Sequence, residues 1–267
     1  MNLKRWTTAI IGLPIVAAVL IFGNKYIIDI VFSAVAIIAL YEYFNSFKEK
    51  NKSLRWIAYV DALSIAFIHV IPSEYILKII AAIIPISIMV LFAQVIASNM
   101  KYTIKDISIT AFGICYIVIF LMYIPVIRQM DNGLLKIWYL VIAAWGTDTA
   151  AYLIGKHFGK HHFTEVSPNK SIEGCVAGVI GATILMLIYT YVCNTFLGMN
   201  FNYLYIILIS VVLSLVGQLG DLAASSIKRY SGIKDFSNII PGHGGILDRM
   251  DSVLFIAPFA YFLFMLL

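Results

Sequence analysis

Three aspartates in the last fifth of the chain, Asp221, Asp248 and Asp251, carry its clearest chemical signal. Ser210, Ser214, Gln218, Asp221 and Ser225 recur every three or four residues, so they share one face of a helix. A carboxylate heading such a stripe at the end of an apolar helix belongs in a protein interior or a water-filled cavity; a polar seam between helices is the other reading. Further on, Pro241-Gly242-His243-Gly244-Gly245 leads into Asp248-Arg249-Met250-Asp251. Glycines there permit a tight turn that aims backbone N–H groups at phosphate. Asp248 and Asp251 share a face where the last apolar segment begins; the helix dipole alone would also favour acidic residues at that place. Carboxylates converging without His or Cys suit a hard, oxygen-seeking cation, and Mg²⁺ is the usual choice when phosphates supply the other ligands. Phosphoryl and nucleotidyl transfer then run mostly on positioning and charge neutralisation. Lys228, Arg229, Lys234 and Arg249 supply the positive complement.

A second cluster precedes this one. In Trp145-Gly146-Thr147-Asp148-Thr149-Ala150-Ala151-Tyr152, Asp148 lies roughly 9 Å inside the end of an apolar helix. An unpaired carboxylate there costs a few kcal/mol, so Asp148 is expected to face the same cavity, as a ligand or as the partner of Lys170; a purely structural ion pair is the alternative. Ser167-Pro168-Asn169-Lys170-Ser171-Ile172-Glu173-Gly174 follows. Ser167 or Ser171 can cap the next helix, and Lys170 is a phosphate binder in type and place. His157, His161 and His162 lack accompanying carboxylates and are expected to be solvated loop residues. His69 is expected to be a hydrogen-bonded core residue, and Glu42 and Asp61 to be interfacial rather than catalytic. Cys115, Cys175 and Cys193 lie in apolar segments without metal-type spacing and are expected to be small buried hydrophobes.

The elements that must position these residues are membrane helices. The 267 residues are 61% hydrophobic and 12% charged, against about 25% charged in a soluble domain. With about 20 apolar residues per span, candidate spans fall at 7–22, 26–46, 55–71, 75–98, 107–127, 134–154, 173–197, 203–224 and 250–267, which makes the expected fold all-α and polytopic with about nine transmembrane helices. Met1–Trp6 and the run after it lack a cleavage site and read as a retained first helix. With the N-terminus on the cytoplasmic side, fifteen of the nineteen Lys and Arg residues lie on that side and four (Lys25, Lys78, Arg128 and Lys136) on the other, in line with the positive-inside rule. Two polar loops, 155–172 and 225–249, stand out on the cytoplasmic side, and long ordered loops usually carry function. Residues 1–130 read as scaffold and 131–267 as the catalytic region of one continuous membrane domain.

The segment from Ser225-Ser226-Ile227-Lys228-Arg229 through Lys234-Asp235 to Pro241-Gly242-His243-Gly244-Gly245-Ile246-Leu247-Asp248-Arg249-Met250-Asp251 resembles the signature of the bacterial phosphatidate cytidylyltransferases, the CDP-diacylglycerol synthases, over 27 residues. The Trp145–Tyr152 and Ser167–Gly174 segments resemble the same family, with Asn169 and Ser171 where its pattern has Lys and Thr. The N-terminal half resembles it in hydropathy only. The resemblance implies transfer of CMP from CTP to phosphatidate at the cytoplasmic face of a bacterial inner membrane. It implies Asp221 and Asp248 as principal metal ligands, with Asp251 and Asp148 completing or supporting the site, and potassium beside magnesium, in a homodimer. On that mechanism Lys170, Lys228 and Arg229 neutralise the departing pyrophosphate and His243 hydrogen-bonds phosphate. Ser167, Asn169, Glu173, Lys234, Gly244, Gly245 and Arg249 complete the expected substrate contacts. A CTP-dependent polyprenol or phytol kinase and a membrane transporter are the alternatives.

Overall fold

Backbone polar groups surrounded by lipid must bond within their own segment, and the apolar runs of this chain do so as helices. The computed structural model describes residues 14, 17–47, 54–240, 242 and 244–266. Its helices are α1 (Lys25–Ser46), α2 (Arg55–Ser64, continued by a 3₁₀ stretch Ile65–Val70), α3 (Ser73–Ala97), α4 (Ile104–Gln129), α5 (Gly133–Phe158), α6 (Ile172–Phe196), α7 (Tyr203–Ser231) and α8 (Leu247–Phe264). Among the described residues the only β pairings are two isolated bridges, His162 with Ser171 and Ile240 with Gly244. Helix starts follow the local sequence: Asn24 accepts from the Ile27 N–H, Thr103 and Asp106 form a capping box, and Ser171 accepts from Gly174.

Among the described residues six helices, α1 and α3 to α7, are long and apolar enough to cross a membrane. The segment expected at 55–71 is a ten-residue α-helix ending in a six-residue 3₁₀ stretch. The one expected at 250–267 is an eighteen-residue helix with Asp248, Arg249 and Asp251 in its first turns. The span at 7–22 falls largely outside the described residues. On α6, Ile180, Ile184 and Ile188 are exposed while Gly174, Gly178 and Ala182 are buried. Large apolar side chains outside and small ones inside suit lipid as the solvent.

The chain divides into two units, Met1–Met130 with Ser231–Arg249, and Asp131–Tyr230 with Met250–Leu267. The polar segment 231–249, assigned from sequence to the catalytic region, therefore packs with the N-terminal helices. In the first unit α1 is central, burying Ile28, Ala36, Leu40, Tyr43 and Phe44. Its buried Asp29 accepts from the His69 backbone N–H at 2.9 Å and meets His69 Nδ1 at 2.6 Å. His69 is thus a hydrogen-bonded interior residue, as expected, near the end of the 3₁₀ stretch. Ser33 donates to the Ala62 carbonyl, Tyr43 to Ile109, and Ser87 to the Asp61 carboxylate.

In the second unit helices meet through small residues. Gly174, Gly178 and Gly181 of α6 face Ala151, Thr147 and Ala150 of α5, and a Cβ at Gly178 would lie 3.0 Å from Thr147. On α7, Gly217 and Gly220 receive Ile256, Asp251 and Phe255 of α8, and a Cβ at Gly220 would stand 2.7 Å from the Asp251 carbonyl oxygen. Such contacts supply the close van der Waals packing that holds helices together in lipid. Gly220→Ala is expected to destabilise the protein by about 1–3 kcal/mol through overpacking against a rigid backbone atom, read as a lowered unfolding midpoint in detergent.

Candidate active site

The second unit holds a cavity of about 690 Å³ between α5, α6 and α7 and the loop 159–171. Asp148, Tyr152, Lys156, His162, Ser167, Asn169, Lys170, Cys175, Gln218 and Asp221 line it. A π-helical widening at Ile142–Gly146 immediately precedes Thr147 and Asp148; such bulges change the register of the helix beyond them and are frequent at functional sites.

The polar stripe of α7 divides in two. Ser210 bonds Thr183 at 2.7 Å, Ser214 accepts from Thr147 at 2.8 Å, and Gln218 donates to the Cys175 carbonyl at 3.2 Å. These three form a helix–helix seam, the alternative reading of the stripe. Gln218 and Asp221 both reach the cavity, and Asp221 pairs there with Lys170 (Nζ to Oδ2, 2.7 Å). Lys170 also donates to the Gln218 carbonyl, and its backbone N–H bonds the Ser167 carbonyl. Asp221 is thus a partner of Lys170. Asp148 stands exposed on the cavity wall. Asp251 is close enough to Asp221, Asp148 and Lys228 for all three charges to act on it, so three carboxylates and two ammonium groups gather in this unit.

The remaining loop residues mostly hold the loop. Ser171 caps α6. Glu173, expected to touch substrate, accepts from the backbone N–H groups of Lys160 and His161 and pairs with the His161 ring. His161 is exposed, as expected of a solvated loop histidine, but it has a carboxylate partner in Glu173 that the sequence did not suggest, whereas His157 bonds its own helix through the Leu153 carbonyl and His162 lines the cavity. Arg229 is exposed and donates to the Val166 carbonyl, which fastens loop to helix. The thiols are free: Cys193 is buried, Cys175 half-buried in the cavity wall and Cys115 exposed.

The glycine-rich segment belongs to the first unit. Gly242 and Gly244 have φ of 79° and 86°, a conformation that strains other residues. The Ile240 N–H bonds the Gly244 carbonyl at 2.9 Å, closing the turn. Asp248 is buried, and its Oδ2 accepts from the backbone N–H groups of Phe236 and Gly245, each at 2.9 Å. That is the local, turn-holding use of an acidic residue at a helix start. Lys234 and Arg249 are exposed; His243 and Pro241 lie outside the described residues. Sequence reasoning missed Glu42, expected to be interfacial. It is fully buried and accepts from the Ile246 and Leu247 N–H groups at 3.0 and 2.7 Å and from the Ser237 hydroxyl. It also missed Lys156 and His162 as cavity residues. The Gly174, Gly178 and Gly181 spacing was the available signal for close helix packing beside Asp148.

Within each unit, no three His, Cys, Asp or Glu side chains among the described residues form a group able to hold a metal ion by themselves. The second unit instead offers hard oxygen donors beside cations, an arrangement suited to phosphate oxygens completing a metal's coordination.

The sequence matches the cytidylyltransferase family over residues 3–267. It is 34% identical over 269 residues to the phosphatidate cytidylyltransferase of Bacillus subtilis (strain 168), covering 97% of this chain and 96% of that protein. Proteins of the same name from Staphylococcus haemolyticus (strain JCSC1435) and Staphylococcus aureus (strain COL) are 35% and 36% identical, with 95% of each chain covered. A match running almost from end to end makes this chain a member of the cytidylyltransferase family.

Proposed function

We propose that this chain transfers CMP from CTP to phosphatidate, forming CDP-diacylglycerol and pyrophosphate in phospholipid biosynthesis. The observation that carries the reading is the Lys170–Asp221 pair on the wall of a cavity with Asp148, Ser167 and Asn169: cation and carboxylate stand where a nucleotide phosphate and its counter-ion can share them. A phosphatidate oxygen, already anionic at neutral pH, attacks the α-phosphorus of CTP; the bond from that phosphorus to the bridging oxygen breaks, and pyrophosphate leaves with the electron pair. No strong base is required.

Asp221 and Asp251 would hold a magnesium ion, with Asp148 as support, and their hard all-oxygen chemistry fits it. Asp248, one helical turn before Asp251 in α8, stays a proposed ligand on sequence grounds. Magnesium, when bound, supplies charge neutralisation on the reacting phosphates. Lys170 and Lys228 add fixed positive charge on the pyrophosphate side, and Lys156 is a further candidate from its place in the cavity. Arg229 acts by holding the loop that carries Lys170. His243, Lys234, Gly244, Gly245 and Arg249 remain proposed phosphate contacts. Potassium as a second cation and a homodimer rest on the resemblance alone. The nine-span topology, the cytoplasmic N-terminus and an inner-membrane site facing the cytoplasm rest on the charge asymmetry of the loops.

With α-³²P-CTP and phosphatidate in mixed micelles, the purified protein is expected to place label in lipid, and with γ-³²P-CTP none. The reverse pattern would identify a CTP-dependent lipid kinase, and nucleotide-independent flux in liposomes a transporter. Lys170→Met and Asp221→Asn are each expected to lower kcat on the order of 10²–10³-fold, the usual effect of removing a group that stabilises transition-state charge, in protein that still elutes as folded enzyme. Near-parental turnover in either variant would remove the pair from the mechanism. Chelation by EDTA should abolish labelling, and added Mg²⁺ should restore it.

A further inference from the structure

Glu42 sits in α1, far in sequence from every motif of the site, and is fully buried. A buried carboxylate must be paired or hydrogen-bonded to persist. The three donors described for it, Ser237 Oγ and the backbone N–H groups of Ile246 and Leu247, all belong to residues 237–247. Ile246 and Leu247 stand at the N-terminus of α8, where N–H groups have no partner within the helix. Gly245 abuts the same carboxylate: a Cβ there would lie 2.6 Å from both Glu42 oxygens. The glycine leaves room for the carboxylate, and the carboxylate satisfies the amides that follow it.

We infer that Glu42 is a positioning residue of the active site, holding the Gly244–Asp248 turn in its working conformation from the N-terminal unit. This rests on the proposed function insofar as that turn contacts nucleotide phosphate or its metal. Glu42 does not touch substrate. It acts through Ile246 and Leu247, and Asp248 braces the same turn through Gly245 and Phe236.

The experiment compares Glu42→Gln, Glu42→Asp and Gly245→Ala with the parent protein. Amide hydrogen exchange is followed in peptides covering 244–247 and in peptides of α1, and KM for CTP is measured beside the thermal midpoint. Glu42→Gln replaces one acceptor by an amide that faces N–H donors. It is expected to speed exchange at 244–247 at least tenfold with α1 unchanged, and to raise KM for CTP at least tenfold. Glu42→Asp, which keeps the charge, should recover part of both effects. A lowered midpoint with unchanged KM, or exchange rising equally in α1, would reduce Glu42 to a structural residue and overturn the inference. Should Glu42→Gln not fold, Gly245→Ala decides: it pushes the carboxylate from the loop side and should raise KM likewise, and a parental KM would overturn the inference. Absence of lipid labelling by the parent protein would sink the proposed reaction, and the exchange measurement would still decide the role of Glu42.

Discussion

A carboxylate shielded from water persists only where donors or a cation meet it, and several acidic side chains of this chain answer to that constraint. Asp29 is held by His69, Asp61 by Ser87, Glu173 by His161, Glu42 and Asp248 by the turn leading into α8, and Asp221 by Lys170. The first five bonds serve the fold, inside it for Asp29, Glu42 and Asp248 and at the surface for Glu173 with His161. The last differs in kind: both partners stand on a cavity wall, and an ammonium that neutralises a carboxylate there can equally neutralise a phosphate. The same electrostatic demand thus builds the fold at some positions and the site at another.

The cavity exists because helices come unusually close. Gly174, Gly178 and Gly181 let α6 lie against Thr147, Ala150 and Ala151, which brings Asp148 and the loop carrying Lys170 into one enclosure. Gly217 and Gly220 do the same for α7 and α8, placing Asp251 within electrostatic reach of Asp221. Lipid provides no hydrophobic drive for helices to associate, so close van der Waals packing has to supply it. The seam of Ser210, Ser214 and Gln218 adds hydrogen bonds that tie α7 to α6 and α5. Stability and function therefore draw on the same few small residues.

The glycine-rich turn follows a different logic. Two glycines at positive φ shape it, and two carboxylates, Glu42 and Asp248, take up its backbone amides. A turn rich in glycine has many conformations open to it; buried charge-assisted bonds restrict it to one. The N-terminal helices are thereby more than a lipid-facing scaffold, since one of them contributes the acceptor that sets the turn.

The amino-acid sequence by itself determined the solvent, the secondary structure and the chemistry. Mean composition and apolar run lengths demand membrane helices, and the spacing of Asp148, Lys170, Asp221, Asp248 and Asp251 among glycines and small residues is the ground for expecting phosphate and metal chemistry, because periodicity and residue type are local properties of a chain. Only the tertiary structure decided which carboxylate meets which cation. Lys170 reaches Asp221, Glu173 serves its loop, and the α7 stripe is mostly seam. Glu42 was illegible for the same reason: an isolated acid in an apolar run shows its polarity but not its partner, and that partner lies some two hundred residues away in the chain. Pairing across such distances is set by helix packing, which depends on every interface at once and has no signature in any single segment.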